Sequence, residues 1–456
     1  MVEKEFEPLG SALLVHIELS REQSREDLEE LYRLAESSGA AVAQAITCKR
    51  DTPDPKTYVG SGKVEEIRAA VLAHEAKVVI FNCKLTPSQE RNLEKVFNVR
   101  VMDRIALILD IFSRRARTYE GKLQVELALL VHEQSRLVRG WTHLERQKGG
   151  FGLRGGPGET QIELDRRALR QRIAAIRADL ATVSRRRAQS RSKRRKNSVP
   201  VVSFVGYTNA GKSTLFNLLT GSEVYVADQL FATLDPTLRM LELKTVGKAI
   251  LADTVGFIRH LPHELVAAFR ATLEESAMAD LQLHVVDASD PRAEQNIEAV
   301  DAVLRQIGAY DVPRLLVFNK SDLLDEVSSA IVYDDKKRPV RVNVSAKTGF
   351  GIDELLSCIR SYLTSNICSF AVKISFDDGK LRALLYDCLA VDREYPAEDG
   401  GSVVELKIRR EDAARIDKQT GGRLASLCPG GKVPWLEDEA APLNEEVFDI
   451  DIFNYK

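Results

Sequence analysis

The residues with the clearest chemical potential are the nine from Gly206 to Thr214, which read GYTNAGKST. They end an apolar run, VVSFVG, and open a helical pattern, STLFNLLTG, and in this context G-x-x-x-x-G-K-[ST] forms a phosphate-binding loop, or P-loop. The glycines let backbone N–H groups crowd around phosphate oxygens, and the N-terminus of the helix adds a positive dipole. Lys212 can then reach the terminal phosphates, and the Ser213 hydroxyl can bind Mg²⁺.

Three more motifs follow in chain order, each predicted at the end of a strand. In DTVG, the Asp253 carboxylate fits a position that helps to hold Mg²⁺, and the Gly256 N–H could contact a γ-phosphate. In NKSD, Asp322 can accept hydrogen bonds from the ring N–H and the amino group of guanine, a pair that adenine does not offer. SAK, which begins at Ser345, suits backbone contact with the guanine carbonyl. Four motifs in this order predict a GTPase domain.

The predicted site therefore extends over four loops and takes GTP or GDP with Mg²⁺. We expect Lys212 and Gly256 to act in catalysis, and Ser213 and Asp253 to hold the metal. The predicted nucleotide contacts are Gly206, Tyr207, Thr208, Asn209, Ala210, Gly211, Lys212, Ser213, Thr214, Asp253, Thr254, Val255, Gly256, Asn319, Lys320, Asp322, Ser345, Ala346 and Lys347.

Two residues beside these motifs have alternative interpretations. Phe257 follows Gly256, where a Ras-type enzyme carries a glutamine that orients the attacking water. A phenyl ring cannot hydrogen-bond to water, so we expect slow unaided hydrolysis that a large partner completes; the alternative is that Phe257 packs in the core and another side chain acts. Asn209 either offers its carbonyl oxygen to a K⁺ ion beside the phosphates, as in the K⁺-activated GTPases that it resembles, or is simply a small residue tolerated in a turn.

The chain as a whole predicts a multidomain α/β protein. Its 456 residues suggest about three domains. The segment MVEKEFEPLG is too charged for a secretory signal peptide, and no apolar run approaches the roughly 18 residues of a spanning helix. We therefore expect a cytoplasmic protein that is not integral to a membrane, with peripheral membrane association left open. Six cysteines without metal-binding spacing favour buried or unreactive thiols.

Four regions follow from the patterning. Residues 1–115 alternate strand-like runs (ALLVHIEL, AAVAQAIT, KVVIFN and VRVMD) with helical patterns, which predicts βαβ units and a parallel sheet. Residues 116–198 predict two long antiparallel helices joined by the glycine-rich loop KGGFGLRGGPGE. Residues 199–365 form the predicted GTPase domain, a mostly parallel sheet with helices on both faces. Residues 366–456 predict a small α+β domain whose acidic end is loosely structured.

The helical region also carries features of RNA binding. Its second helix ends in a basic run, and the preceding loop places Phe151 and Arg154 among glycines, where a ring and a guanidinium could stack on a splayed base. A solvated charged helix and a hinge are the alternatives. The predicted RNA contacts are Phe151, Arg154, Arg185, Arg186, Arg187, Arg194 and Arg195.

The segment VGSGK, from Val59 to Lys63, predicts a turn before a helix rather than a second phosphate site, because it lacks the full P-loop spacing.

These motifs carry a resemblance to a known group of proteins. Residues 199–363 resemble translation-factor-type GTPase domains, and FATLDPTLR resembles switch I of the Obg–HflX group, which implies that Thr233 binds Mg²⁺ and the γ-phosphate and acts in catalysis. GGFGLRGGPGETQIELDRR, RGWTHLERQ and YVGSGKVEEI resemble the HflX family in particular. The family carries a hydrophobic residue in place of the glutamine, at Phe257 here. It binds the large ribosomal subunit and splits stalled or idle ribosomes.

The leading hypothesis from sequence is thus a ribosome-associated GTPase, a monomer that contacts the large subunit and its RNA and not DNA. Two others stay open. One is a regulatory scaffold that binds GTP or GDP as a stabilising ligand. The other is an RNA-remodelling enzyme that uses ATP through its N-terminal domain.

Overall fold

The residues that the structure describes fold around three β-sheets, of four, seven and three strands. The computed structural model describes residues 9–18, 25–139, 161–196, 199–221, 230–231, 237–243, 247–259, 270–324, 330–365, 367–388, 390–397 and 400–436. The sheets occupy successive parts of the sequence, and a helical hairpin stands between the first and the second. The predicted fold class is confirmed, whereas the boundaries proposed near residues 115, 198 and 365 stay predictions.

The N-terminal sheet is parallel throughout, as the alternation of strands and helices predicts. Its strands are β1 (Gly10–Glu18), β2 (Ala40–Lys49), β3 (Val78–Phe81) and β4 (Arg100–Met102), in the order β2-β1-β3-β4. Successive residues of β1 point to opposite faces. Leu14 therefore joins one buried cluster, while Leu13 and Val15 join another. Both faces of the sheet are covered, which is usual for parallel sheets.

Four helices cover this sheet: α1 (Arg25–Ser37), α2 (Ser61–Ala73), α3 (Pro87–Phe97) and α4 (Arg104–Arg115). Side-chain caps define two of their starts. Thr86 and Gln89 form a reciprocal capping box at α3, and the Asp103 carboxylate accepts from the Ala106 N–H at α4. Gly60 is the N-cap of α2, and the Lys63 ammonium lies 2.8 Å from the Glu66 carboxylate. VGSGK is accordingly a turn into a helix.

The helical region is an antiparallel hairpin of α5 (Tyr119–Arg139) and α6 (Gln161–Lys196). Buried Leu123, Leu127, Ile173 and Ile176 form its seam. Two salt bridges join the helices at their edge, Glu126 to Arg172 at 2.6 Å and Glu120 to Arg187 at 2.8 Å. The later residue of α6, Arg187, pairs with the earlier residue of α5, Glu120, so the two helices run in opposite directions. The predicted antiparallel arrangement is confirmed. The predicted glycine-rich loop lies outside the described residues.

The central sheet has strands β5 (Val201–Gly206), β6 (Thr237–Leu243), β7 (Gly247–Asp253), β8 (Leu281–Asp287), β9 (Arg314–Asn319), β10 (Ile331–Tyr333) and β11 (Pro339–Asn343). Their order is β10-β11-β9-β8-β5-β7-β6, and the two edge strands, β10 and β6, are antiparallel to their neighbours. The five inner strands are parallel. Their carboxyl ends therefore meet at one edge, where ligands bind in such sheets. The helices are α7 (Lys212–Thr220), α8 (Arg270–Ala277), α9 (Ala293–Gln306) and α10 (Ile352–Ser365).

The C-terminal sheet is antiparallel, with β12 (Ile367–Ile374), β13 (Val391–Pro396) and β14 (Ser402–Arg409) in the order β12-β14-β13. Its helices are α11 (Gly379–Asp387), α12 (Arg410–Gln419) and α13 (Arg423–Ser426). Arg409 binds Asp280, at the start of β8, with 2.7 Å between nitrogen and oxygen, and so joins this sheet to the central one. The acidic end that we expected to be loosely structured falls outside the described residues.

The sequence led us to expect no membrane-spanning helix and cysteines that are buried or unreactive, and both expectations can be compared with the described part of the chain. None of its helices is both long enough and apolar enough to traverse a lipid bilayer. All six cysteines are free thiols, and Cys358, Cys368 and Cys428 are buried. Burial raises the pKa of Cys83 and of Cys358 to about 12, so both stay protonated and poorly nucleophilic at neutral pH.

Candidate nucleotide-binding site

The P-loop joins β5 to α7 and depends on two glycines. Gly206 and Gly211 have φ angles of 146° and 90°, which L side chains rarely adopt. A Cβ on Gly206 would lie 2.2 Å from the Val285 carbonyl oxygen, and one on Gly211 would lie 2.1 Å from the Asn319 amide nitrogen. The glycines thus let the loop pack directly against β8 and β9. Asn209, at φ 61°, occupies a left-handed position that asparagine tolerates.

Lys212, at the start of α7, points back under the loop. It is 6% exposed, and its ammonium donates to the Gly206 carbonyl at 3.1 Å and to the Tyr207 carbonyl at 2.7 Å. Burial lowers the pKa of Lys212 to about 8, and the Asp253 carboxylate opposes that shift. A phosphate in the loop would supply the negative charge that this buried ammonium otherwise takes from carbonyl dipoles.

The two predicted metal ligands lie side by side. The Ser213 hydroxyl donates to Asp253 Oδ2 at 2.7 Å, and Asp253 is fully buried at the end of β7. A hydroxyl and a carboxylate at this separation suit Mg²⁺, which keeps several waters and takes its remaining ligands from substrate phosphates. Thr254 donates to the Phe204 carbonyl at 2.6 Å and so fixes the strand end beside Asp253. Thr233 lies outside the described residues.

The predicted base-recognition motifs are connected through Asn319, the last residue of β9. Its amide nitrogen donates to the Ala210 carbonyl at 3.0 Å, and its amide oxygen accepts from the Ala346 N–H at 3.0 Å. Asp322 Oδ1 accepts from the Ser345 hydroxyl at 2.6 Å. The P-loop, NKSD and SAK are therefore tied into one site. Lys320 binds Asp287 at 2.6 Å, whereas Lys347 is exposed.

The segment Asp253–Arg259, called switch II here, runs back along the P-loop. Phe257 donates its N–H to the Gly206 carbonyl at 3.1 Å and accepts from the Thr208 N–H at 2.8 Å. Its ring is 2% exposed and packs with Val205 and Leu273 in a buried cluster. The slow unaided hydrolysis that we expect from sequence stays a prediction, as does a catalytic role for another side chain, but the ring itself packs in the core. The physical reason is that the backbone pairing turns this side chain away from the loop.

Gly256 lies against the P-loop where a terminal phosphate would be expected. A Cβ on Gly256 would come within 2.8 Å of the Thr208 methyl and 3.1 Å of the Lys212 ammonium. Only a glycine fits this close approach without displacing the loop. The role predicted for its N–H stays a prediction.

A polar network that sequence reasoning missed connects this site to the N-terminal sheet. The Tyr207 hydroxyl donates to Glu30 Oε2 at 2.7 Å and accepts from the Arg259 N–H at 3.0 Å. Arg104 binds Glu30 and donates to the Arg259 carbonyl at 3.0 Å. Burial, together with the Glu30 carboxylate, raises the pKa of Tyr207 above its ordinary value, so the hydroxyl keeps the proton that it donates. No motif marks Glu30 or Arg104, which look like ordinary charged residues of amphipathic helices.

Apolar contacts reinforce the same seam. The rings of Phe112 and Phe231 meet edge to face, with centroids 4.6 Å apart and planes at 82°. Leu230, Val255 and Ile258 belong to the buried cluster that covers one face of the N-terminal sheet. A cavity of about 50 Å³ remains between α1 and the P-loop. Phe231, at the start of switch I, and Val255 and Ile258 of switch II are thus part of the core of the N-terminal domain.

The predicted RNA contacts are only partly described. Arg185 and Arg186 are exposed on α6, whereas Arg187 is engaged by Glu120. Arg194 and Arg195 belong to α6, but their side chains are outside the description, as are Phe151 and Arg154 altogether. The structure leaves the RNA assignment a prediction.

A P-loop at the carboxyl edge of a mostly parallel sheet, with DTVG, NKSD and SAK in adjoining loops, defines a P-loop GTPase, an enzyme that hydrolyses GTP. Comparison with known proteins narrows the class. Residues 25–113 match the family described as GTP-binding GTPase N-terminal, 115–194 its middle region, 201–320 the 50S ribosome-binding GTPase family and 330–426 the HflX C-terminal domain. The chain belongs to the HflX family of GTPases.

Individual relatives span nearly the whole chain. The GTPase HflX of Escherichia coli (strain K12) is 52% identical over 408 residues, which cover 90% of this chain and 96% of that protein. The GTPase HflX of Magnetococcus marinus is 46% identical over 409 residues, or 89% and 94% of the two chains. Among solved structures, a complex of SsGBP with GDP matches 78% of this chain and 98% of its own, with 25% identity and a TM-score of 0.46.

Proposed function

We propose that this GTPase binds the large ribosomal subunit, dissociates stalled or idle ribosomes and hydrolyses GTP faster when it is bound there. The observation that carries the proposal is that Phe231 of switch I and Val255 and Ile258 of switch II pack in the core of the N-terminal domain. A body that rearranges the N-terminal domain would therefore rearrange the nucleotide site. The match of residues 201–320 to 50S ribosome-binding GTPases supports a ribosomal partner, and exposed Arg185 and Arg186 give α6 a surface suited to RNA phosphates.

Each site residue has a proposed role in this reaction. The P-loop N–H groups and Lys212 hold the phosphates and neutralise charge as the terminal phosphoryl group leaves. The Gly256 N–H contacts the γ-phosphate, and Asp322 with the SAK loop selects guanine. Ser213, Asp253 and Thr233 would hold Mg²⁺, which would supply positive charge to the phosphates. Within this arrangement, the side chain after Gly256 supplies no hydrogen bond to water, because the Phe257 ring is buried in the core.

The ribosomal assignment predicts nucleotide-dependent co-sedimentation. The protein with a non-hydrolysable GTP analogue should pellet with large subunits, and with GDP it should stay largely in the supernatant. GTP turnover should rise by about tenfold or more at saturating subunits, because a partner that orders the water contributes at least 1.4 kcal/mol of barrier lowering. Equal turnover with and without subunits would contradict the proposal and would favour a regulatory scaffold.

Asn209 gives a second, narrower prediction. If its amide oxygen helps to bind a K⁺ ion beside the phosphates, GTP turnover in KCl should exceed turnover in NaCl at equal ionic strength, because Na⁺ is too small to reach the same ligands. Asn209→Ala should abolish that difference. Equal rates in the two salts for the unaltered protein would leave Asn209 only its role in the left-handed turn.

A further inference from the structure

Tyr207 holds a position in the P-loop that most side chains could occupy, since the motif does not specify it. In this structure, the backbone carbonyl of Tyr207 and its side-chain hydroxyl contact different parts of the protein. The backbone carbonyl accepts from Lys212 at 2.7 Å, while the hydroxyl lies between Glu30 and the Arg259 N–H. One residue therefore touches the phosphate-binding lysine, switch II and the N-terminal domain.

The same network restrains the backbone that follows Gly256. Two hydrogen bonds fix Phe257 to Gly206 and Thr208. Two residues later, the Arg259 N–H is fixed by Tyr207, and its carbonyl is fixed by Arg104. Gly256 thus begins a short segment that is attached along its length to the P-loop and to α4, with little freedom to move independently of either.

The N-terminal side of the network comes from two helices of the N-terminal domain. Glu30 lies on α1 and Arg104 on α4, and neither residue belongs to the four nucleotide motifs. Both are largely buried, and they bind each other. Any effect of Arg104 on the γ-phosphate must therefore pass through Arg259 and Tyr207.

We propose that Tyr207, Glu30, Arg104 and Arg259 form a positioning network that couples γ-phosphate binding at Gly256 to docking of the N-terminal domain. Tyr207 and Arg104 are positioning residues, which act by holding the Gly256 N–H where a γ-phosphate oxygen can accept from it. GDP lacks that phosphate and gains nothing from the network. This inference rests on the proposed contact between Gly256 and the γ-phosphate.

Binding of the γ-phosphate and docking of the N-terminal domain are linked equilibria, so each must affect the other equally. If the docked N-terminal domain improves affinity for the γ-phosphate by some factor, then the γ-phosphate strengthens docking by the same factor. The N-terminal domain and the hairpin attached to it would then be held more firmly with GTP than with GDP. A partner that binds the docked arrangement would consequently select the GTP state.

The test compares the affinities of GDP and of a non-hydrolysable GTP analogue, each with Mg²⁺, for the full chain and three variants. Tyr207→Phe removes the hydroxyl from the network, and Arg104→Gln removes its N-terminal anchor. Tyr386→Phe is the matched control, because its hydroxyl also binds a glutamate, Glu394, but in the C-terminal domain. We expect Tyr207→Phe and Arg104→Gln each to lower affinity for the analogue by about fivefold or more relative to affinity for GDP, a typical size for coupling between sites. Tyr386→Phe should change neither.

The possible results separate this inference from the function on which it rests. A loss confined to Tyr207→Phe would mean a local P-loop effect and would overturn the coupling, as would equal losses for GDP and the analogue. Unchanged affinities in both variants would overturn it as well, although the proposed function would stand. If the unaltered protein bound neither nucleotide, both proposals would fall together.

Discussion

Lys212→Ala should lose GTP hydrolysis almost completely. The buried ammonium is the only lysine that reaches under the P-loop in the described part of the chain, and it lies beside Gly256, where the terminal phosphate is expected. Removing one preorganised group that stabilises transition-state charge typically lowers kcat by about 10²- to 10³-fold. Ground-state binding should suffer less, because a charge-assisted hydrogen bond contributes about 1.5–3 kcal/mol, or roughly ten- to a hundredfold in GTP affinity.

Single-turnover hydrolysis at saturating GTP separates these two effects from each other. Lys248→Ala serves as the control, since Lys248 is exposed on β7, the strand that ends at Asp253. Thermal unfolding of both variants would show whether the fold is kept. A Lys212→Ala protein that hydrolyses bound GTP at the normal rate would remove Lys212 from the reaction.

Asp322→Asn should change the base that the protein selects. The proposed pair of hydrogen bonds to guanine requires two acceptor oxygens, and an amide keeps only one. The loss of one charge-assisted bond, worth about 1.5–3 kcal/mol, predicts a fall in GTP affinity of about ten- to a hundredfold. Xanthine presents an oxygen where guanine has its amino group, so the new amide N–H should find an acceptor there.

The structure indicates that this substitution leaves the loop intact. Asp322 Oδ1 accepts from the Ser345 hydroxyl, and an asparagine carbonyl can accept the same bond. Titration of GTP and xanthosine triphosphate against the variant measures the switch. Asp392→Asn, on exposed β13, provides an equivalent loss of charge far along the chain. GTP affinity that stayed unchanged in Asp322→Asn would disprove the base-recognition assignment.

The nucleotide pocket could be predicted from sequence because its parts are local and ordered. Each motif follows a strand, and parallel strands present their carboxyl ends at one edge. Asn319 shows how completely this worked, since a residue identified only from the string NKSD bridges the P-loop and the SAK loop. The glycines at 206, 211 and 256 were expected to let backbone N–H groups approach phosphate, whereas their close packing against protein atoms was visible only in the coordinates.

The orientation of Phe257 could not be predicted in the same way. Its place in the chain is fixed by Gly256, but the direction of its ring depends on a pairing between switch II and the P-loop. A bulky apolar ring gains more by joining Leu273 and Val300 than by facing phosphates. Sequence position alone therefore left open whether the ring packs in the core, and the packing answers that question.

The seam with the N-terminal domain was beyond sequence reasoning for a different reason. Tyr207 and Glu30 are separated by 177 residues, and neither has a distinctive neighbourhood. Leu230 and Phe231 could equally have packed within their own domain. Contacts of this kind depend on how two separately folded sheets are oriented, and no periodicity in either one encodes that orientation.

The hairpin and the P-loop belong to one covalent run, which has a mechanical consequence. Helix α6 ends at Lys196, β5 starts at Val201, and β5 delivers the chain directly to Gly206. At 1.5 Å per residue, α6 is a rod of about 54 Å. A tilt of only about 5° at its base would displace its far tip by about 5 Å, by the geometry of a rod of this length. Strand β5 and the short link before it separate the base of this rod from the P-loop, so a small tilt that the strand transmits would be enlarged at the tip of the helix.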